Sequence, residues 1–325
     1  MNSKERVLRA IERTGPDIVP LYYAQDREKS DVILLPTGRP QKELDNGLVD
    51  EWGCWWPKDE TIGMTQVQRH PLDEPGKLDG YRLPMPDLYE RMDEAGKLAK
   101  TYPDRFLVST ATGLTGLNRM ISLCGFEQIL VHIASESDFF ASLFEKIKNF
   151  EIGMINQAIK VDANGFIFAD DWGTQQSLFI SPAKWRKLFK PVFREQFGHA
   201  HDHGLKVFFH SCGYIWEIID DLIEIGVDVL NMEQLNLFGI DRVAKHFGGR
   251  VCFLSNPDSQ ATIPGSRPEQ VISEVKELIQ KLGCFSGGFI GNADCTLAHK
   301  CIPTENVRIM AQAFEEYRYM FSDHA

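Results

Sequence analysis

The sequence is informative first through what it lacks. No apolar run among its 325 residues reaches the roughly 20 residues that a helix needs to cross a bilayer. No Gly-x-Gly-x-x-Gly motif and no P-loop comes after a predicted strand, which argues against dinucleotide-binding and nucleotide-triphosphate-binding folds. A basic surplus is missing too, because the formal net charge is −11, whereas nucleic acids attract basic surfaces. We therefore expect neither a membrane protein nor a nucleic-acid-binding protein.

The seven cysteines are an odd number and show no disulfide framework, which favours reduced thiols in a cytoplasmic protein. The first residues carry no apolar segment of the signal-peptide kind, which agrees with that expectation. Hydrophobic residues make up 43% of the chain and charged residues 25%, values that are ordinary for a globular protein with a large core.

Short apolar strands alternate with amphipathic helices from residue 105 onwards, a pattern that predicts a parallel sheet. The predicted strands span residues 17–23, 105–110, 165–170, 207–210, 227–231, 251–255 and 288–291. An eighth strand is expected in the irregular stretch 24–104. The count favours an α/β fold, a single (β/α)8 TIM barrel over residues 1–325, rather than a doubly wound open sheet. Two local signals concern helices: Ser135 is predicted to cap a long helix, and Pro191 to break another.

The run from Lys206 to Gly213 reads as a buried strand that ends in a turn. Side chains alternate along a strand, so His210 and Cys212 are expected to project to one side while Ser211 faces away. An imidazole and a thiol placed together at the end of a strand can form two corners of a zinc site.

Active sites of (β/α)8 barrels lie at the carboxyl ends of the strands, and polar side chains are dense there in this chain. Asp170 and Asp171 come after one strand and are candidate catalytic residues; Asp170 is preferred because strand ends are better fixed than loops. Asp171 could alternatively reach the substrate or a metal. The other candidates would contact the substrate, and they are Tyr22, Tyr23, Trp52, Trp172, Glu233 and Asn256.

The sequence resembles the uroporphyrinogen decarboxylase superfamily along essentially its whole length. The resemblance is carried by residues 8–10, 17–20, 168–173, 180–182, 191, 210–213 and 303–306, which occur in the order typical of that superfamily. Its members are (β/α)8 barrels. Decarboxylases of the superfamily carry an Arg-Gln-Ala-Gly-Arg element after the first strand, whereas residues 22–27 here offer only Arg27.

The chain is more similar to the corrinoid-dependent methyltransferase branch, which binds zinc through His-x-Cys and a distant cysteine. That resemblance implies a zinc site formed by His210, Cys212 and Cys295, with Cys252 and Cys301 as substitutes for the third ligand. No Asp-x-His-x-x-Gly element is present, so the corrinoid (cobalamin) would be carried by a separate partner protein.

The resemblance implies methyl transfer between a small methylated substrate, for example in O-demethylation of a methoxylated compound, and the cobalt of that partner. One alternative is a decarboxylase of porphyrin biosynthesis, and a second is a non-catalytic barrel that binds small molecules. A homodimer is an assembly that the sequence allows.

Overall fold

The computed structural model describes residues 1–38, 41–58, 66–85, 91–265, 267–294 and 302–321. Eleven strands are present in that part of the chain: β1 Leu21–Tyr22, β2 Val32–Leu34, β3 Lys42–Leu44, β4 Gly47–Val49, β5 Trp55–Pro57, β6 Phe106–Thr110, β7 Gly165–Ala169, β8 Lys206–His210, β9 Val229–Asn231, β10 Cys252–Ser255 and β11 Phe289–Asn292. The α-helices are α1 Ser3–Glu12, α2 Asp93–Thr101, α3 Gly116–Cys124, α4 Phe126–Ser135, α5 Asp138–Lys160, α6 Pro182–Leu188, α7 Lys190–Asp202, α8 Trp216–Glu224, α9 Ile240–Phe247, α10 Thr262–Gly265, α11 Pro268–Leu282 and α12 Thr304–Tyr317.

Eight parallel strands close into a barrel in the order β1-β11-β10-β9-β8-β7-β6-β2, with helices in most of the connections. The predicted (β/α)8 barrel is confirmed, and β2 is the strand expected between residues 24 and 104. The same stretch also forms a small antiparallel sheet in the order β3-β4-β5, which the sequence did not predict. Among the described residues, no helix combines the length and apolar character needed to span a membrane.

The helix break predicted at Pro191 is confirmed, whereas the helix cap predicted at Ser135 is wrong. The break before Pro191 separates α6 from α7, since proline lacks the amide hydrogen that continues a helix. Ser135 instead ends α4, and Ser137 caps the long helix α5 by accepting a hydrogen bond from the Phe140 amide at 3.2 Å. The misplacement has a physical cause, because Glu136 adopts a left-handed conformation (φ 51°) that interrupts the helical pattern.

The barrel interior is a separate apolar core, closed at the amino-terminal end by α1. Val7 and Ile11 of α1 are buried against the inward-facing side chains of the strands, which include Phe106, Phe208 and Ile290. Residues two apart on a strand share a face, so the inward position after Phe208 is His210, at the carboxyl end of the barrel. The helix therefore closes one end of the barrel and leaves polar side chains to fill the other.

We expect the closing helix to be essential for stability. Ile11→Ala should lower the free energy of unfolding by about 2–5 kcal/mol, because it removes buried methyl groups and leaves a cavity under the barrel. Urea denaturation monitored by circular dichroism measures the change. Val131→Ala is the matched control, since Val131 is 66% exposed on α4 and should cost much less. Equal losses in both variants would contradict the role assigned to α1.

Candidate metal centre

His210 and Cys212 lie at the exit of β8 and face the same side, as predicted. The Cys212 Sγ is 3.5 Å from the His210 Nε2. Ser211 faces away, is buried, and its hydroxyl accepts a hydrogen bond from the Trp172 amide at 3.0 Å. Gly213 has φ 77°, and a Cβ there would collide with the Gly173 carbonyl oxygen. Glycine at this position therefore lets the two loops after β7 and β8 pack closely.

Asp171 completes a three-residue cluster with this pair. Its Oδ1 is 3.6 Å from the His210 Nε2 and accepts a hydrogen bond from the Cys212 amide at 2.6 Å. One ligand atom from each of Asp171, His210 and Cys212 lies within 4.8 Å of the other two. The side chains of His210 and Asp171 are 20% and 35% exposed, so the cluster is accessible from the carboxyl-terminal end of the barrel.

Two asparagines that the sequence analysis missed orient the cluster. The Asn231 Oδ1 lies 2.8 Å from the His210 Nδ1, and the Asn231 amide nitrogen donates to the Leu254 carbonyl at 3.1 Å. That second bond directs the amide oxygen at His210, so a neutral imidazole carries its proton on Nδ1 and leaves Nε2 as a ligand. Asn118 of α3 donates to the Asp171 Oδ2 at 3.1 Å. Asn231 ends a predicted strand and could have been noticed, whereas nothing in the sequence singles out Asn118.

The electrostatics of the cluster favour a positive charge. Burial lowers the pKa of His210, but the Cys212 sulfur and the carboxylates of Asp171 and Glu233 raise that pKa well above its usual value. Burial raises the pKa of the Cys212 thiol, although His210 lowers it, and the net change is upward. A thiolate among these carboxylates therefore needs a stronger neighbouring cation than an imidazolium, and a divalent metal ion would supply it.

The two ligand-atom separations that involve His210 fit zinc. Tetrahedral zinc with bonds of about 2.0–2.3 Å holds its ligand atoms about 3.3–3.8 Å apart. The separations of 3.5 Å from Cys212 to His210 and 3.6 Å from His210 to Asp171 match that geometry. Sulfur, nitrogen and carboxylate oxygen are also the donors that zinc takes in proteins. The residues present therefore fit a zinc ion with room for a further ligand.

The third ligand expected from the sequence, Cys295, lies outside the described residues, as does Cys301. Cys252 is described and occupies the wrong layer of the barrel for this role. The strand register pairs it with Val229, which pairs with Phe208, whereas His210 pairs with Asn231. Cys252 thus lies two residues, or about 7 Å, below the His210 layer, fully buried in the interior core.

Asp170 and Asp171 point in opposite directions, and only Asp171 joins the cluster with His210 and Cys212. Asp170 is fully buried outside the barrel wall, where its Oδ1 accepts from the Asn118 amide at 2.8 Å and its Oδ2 from the Trp172 indole at 3.0 Å. Gly116 has φ 45°, and a Cβ there would collide with the Asp170 Oδ2. Burial raises the pKa of Asp170 well above its usual value, more than the amide hydrogen bonds lower it.

The residues expected to contact the substrate do not all face the barrel mouth. Tyr22 and Glu233 line a cavity of about 180 Å³ in the barrel mouth. Tyr23 does not: successive strand residues alternate, so its hydroxyl instead donates to Glu315 of α12 at 2.8 Å. Asn256 is 1% exposed and lies behind the cavity wall, where it accepts from the Asn292 amide at 3.0 Å.

The two tryptophans also lie away from the barrel mouth. Trp172 is fully buried, with its ring 4.5 Å from that of Phe189, so it belongs to the core between the barrel and the outer helices. Trp52 is 2% exposed and lies beneath the Arg119 guanidinium at 4.3 Å. It lines a different cavity of about 390 Å³, next to Trp56. The expected substrate contact through Trp172 is therefore wrong for this structure.

A closed parallel barrel with a histidine, a thiol and a carboxylate clustered at its carboxyl end defines a (β/α)8 protein with a candidate metal-dependent site. The sequence profile of the uroporphyrinogen decarboxylase (URO-D) family matches residues 63–317. The chain belongs to that family. A comparison with curated proteins gave no match.

One of the similar solved structures matches this chain over nearly its whole length. A methyltransferase from Methanosarcina mazei superposes with a TM-score of 0.72 at 18% identity, over 98% of this chain and 99% of that chain. A D-psicose 3-epimerase from Clostridium cellulolyticum H10, in complex with D-tagatose, gives a TM-score of 0.46 at 13% identity, over 75% of this chain and 86% of that chain. At such low identity, the first similarity establishes a shared fold, and the second carries no further argument.

We expect the purified protein to bind one zinc ion through the cluster. Cys212→Ala should lower the zinc content at least tenfold, because a thiolate ligand is lost. Inductively coupled plasma mass spectrometry after dialysis measures the content. Cys284→Ala is the matched control, since Cys284 is exposed and belongs to none of the candidate ligands. Equal zinc in both variants would contradict the assignment of Cys212.

Proposed function

We propose that this protein is a zinc-dependent methyltransferase that moves a methyl group between a small methylated substrate and the corrinoid of a separate protein. The observation that carries the proposal is the cluster of Asp171, His210 and Cys212, whose atoms are spaced for zinc at the mouth of a URO-D barrel. Similarity to a methyltransferase over nearly the full length of both chains supports it.

The residues of the cluster have distinct tasks in this proposal. Asn231 holds the His210 ring so that Nε2 is the ligand, and Asn118 with the Cys212 amide holds the Asp171 carboxylate. Bound zinc would supply Lewis-acid polarisation of a methyl-bearing heteroatom or lower the pKa of a thiol substrate. Asp171, as an added oxygen ligand or a proton acceptor beside the metal, takes the catalytic role first expected of Asp170.

The corrinoid is proposed to arrive on a partner protein, which would dock at the carboxyl end of the barrel. The proposal rests on the sequence, which lacks a corrinoid-ligating motif: Asp202, His203 and Gly204 do not have the required spacing. His203 is also committed elsewhere, with its Nδ1 2.9 Å from the His199 carbonyl oxygen at the end of α7. A methoxylated compound as the methyl donor remains a prediction from the sequence.

A decarboxylase acting on a porphyrinogen is the second candidate, because the family carries that name. The charges at the site oppose it. Arg27 is exposed, and the described residues that line the mouth cavity include Glu233 and Asp294 but no arginine or lysine. A substrate with eight carboxylates would face this acidic lining without a basic clamp, at a substantial electrostatic cost.

We expect the zinc-loaded protein to transfer a methyl group to cob(I)alamin from at least one donor in a panel of methoxylated and N-methylated compounds. Loss of the cob(I)alamin absorbance measures the rate. Asp171→Asn should slow transfer at least tenfold, because it removes a charge beside the metal, whereas the exposed control Asp241→Asn should not. Full activity in Asp171→Asn would contradict its role, and no activity with any donor would contradict the proposed function.

We also expect uroporphyrinogen to remain unchanged during incubation with the protein, since no basic clamp is available for its carboxylates. Chromatography of the oxidised porphyrins checks this result. Formation of coproporphyrinogen at an enzymatic rate would favour the decarboxylase instead.

A further inference from the structure

The mouth cavity combines an apolar wall with acidic side chains. Most of the residues that line its 180 Å³ are apolar, and Phe208 and Ile167 contribute to its floor. Its charged lining residues are Glu233 and Asp294, and the described lining contains neither lysine nor arginine. The cavity adjoins the metal cluster, because Asn231 lines it and also contacts the His210 Nδ1 at 2.8 Å.

The Glu233 carboxylate has no hydrogen-bond or ion-pair partner within the described part of the chain. Its side chain is half-buried. A carboxylate beside an apolar wall loses part of its hydration, a cost that a cation or a hydrogen-bond donor reduces. His210 reduces it without a hydrogen bond, since Glu233 helps to raise the pKa of that imidazole. Because Glu233 lines the cavity, a cationic ligand bound there would approach its carboxylate.

Tyr22 adds an aromatic surface to the same cavity, and its pKa responds to the negative charges there. Burial, together with the nearby carboxylates of Asp294 and Glu233, raises the pKa of the Tyr22 phenol to about 12. An aromatic face with carboxylates beside it is the arrangement by which proteins recognise methylated ammonium groups, since the ring quadrupole and the anions attract the same charge.

We propose that the substrate bound in this cavity is a small cation, an amine or a methylated ammonium compound, whose charge lies between Glu233 and Tyr22. This inference rests on the proposed function and specifies its substrate class. It departs from a neutral methoxylated donor, and it excludes the polyanionic porphyrinogen on the ground of charge. The metal cluster would then contact a second group of the same small molecule.

A matched ligand pair tests the charge separately from the shape. Choline and 3,3-dimethylbutan-1-ol have the same size and hydroxyl group, but only choline is charged. Isothermal titration of the zinc-loaded protein should give at least tenfold tighter binding for choline. Glu233→Gln should reduce the affinity for choline about tenfold and leave that for the alcohol unchanged. Glu269→Gln, which removes the same charge at an exposed position on α11, should change neither affinity.

Three results would overturn the inference: equal binding of both ligands, no binding of choline at millimolar concentration, or loss of zinc in Glu233→Gln, which would make Glu233 a metal ligand. The titration uses no corrinoid and no methyl transfer, so its outcome is independent of catalysis. A preference for choline without methyl transfer to cob(I)alamin contradicts the proposed function alone. Transfer from a neutral donor with no preference for choline contradicts only the inference about charge.

Discussion

The alternation of side chains across the ends of three neighbouring strands is the constraint on which the site depends. The register pairs Ala169 of β7 with His210 of β8, and His210 with Asn231 of β9. These inward positions form one layer at the carboxyl end, so the imidazole meets the asparagine that fixes its tautomer. Asp170 is one residue beyond that layer and must point outward, whereas Asp171 turns back towards the barrel axis.

The outward aspartate supports the inward one through a helix. Asp170 accepts from the backbone amide of Asn118, while Glu151 accepts from the Gly116 amide at 2.8 Å, so two buried carboxylates lie at the amino terminus of α3. The partial positive charge of a helix amino terminus favours the ionised form of such groups and opposes the burial that raises the pKa of both carboxyls. Anchored in this way, α3 presents the side chain of Asn118 to Asp171. Asp170, which contacts no ligand, thereby helps to position Asp171, which can.

The sequence predicted the features that depend on local pattern alone. Short apolar runs predicted the barrel and placed His210 and Cys212 on one side, because alternation along a strand needs no tertiary information. It could not show which way Asp170 faces, since Phe166 and Phe168 could have packed on either side of the wall; both pack outward. Tyr23 and Trp172 were misjudged for the same reason, because proximity to a strand end does not specify direction. Asn118 is about 50 residues from Asp171 in sequence and meets it only through the fold.

A metal ion in the cluster would change the electrostatic potential in the acidic mouth cavity. A divalent ion would neutralise the Cys212 thiolate and the Asp171 carboxylate, which would otherwise add to the field of Glu233. The charge left in the cavity is then that of its own lining, and carboxylates dominate that lining. The apolar floor lowers the local polarisability, so this residual charge acts on a ligand more strongly than an exposed carboxylate would. Discrimination by charge would then depend on Glu233 and Asp294, the acidic residues of the lining, rather than on the metal ligands.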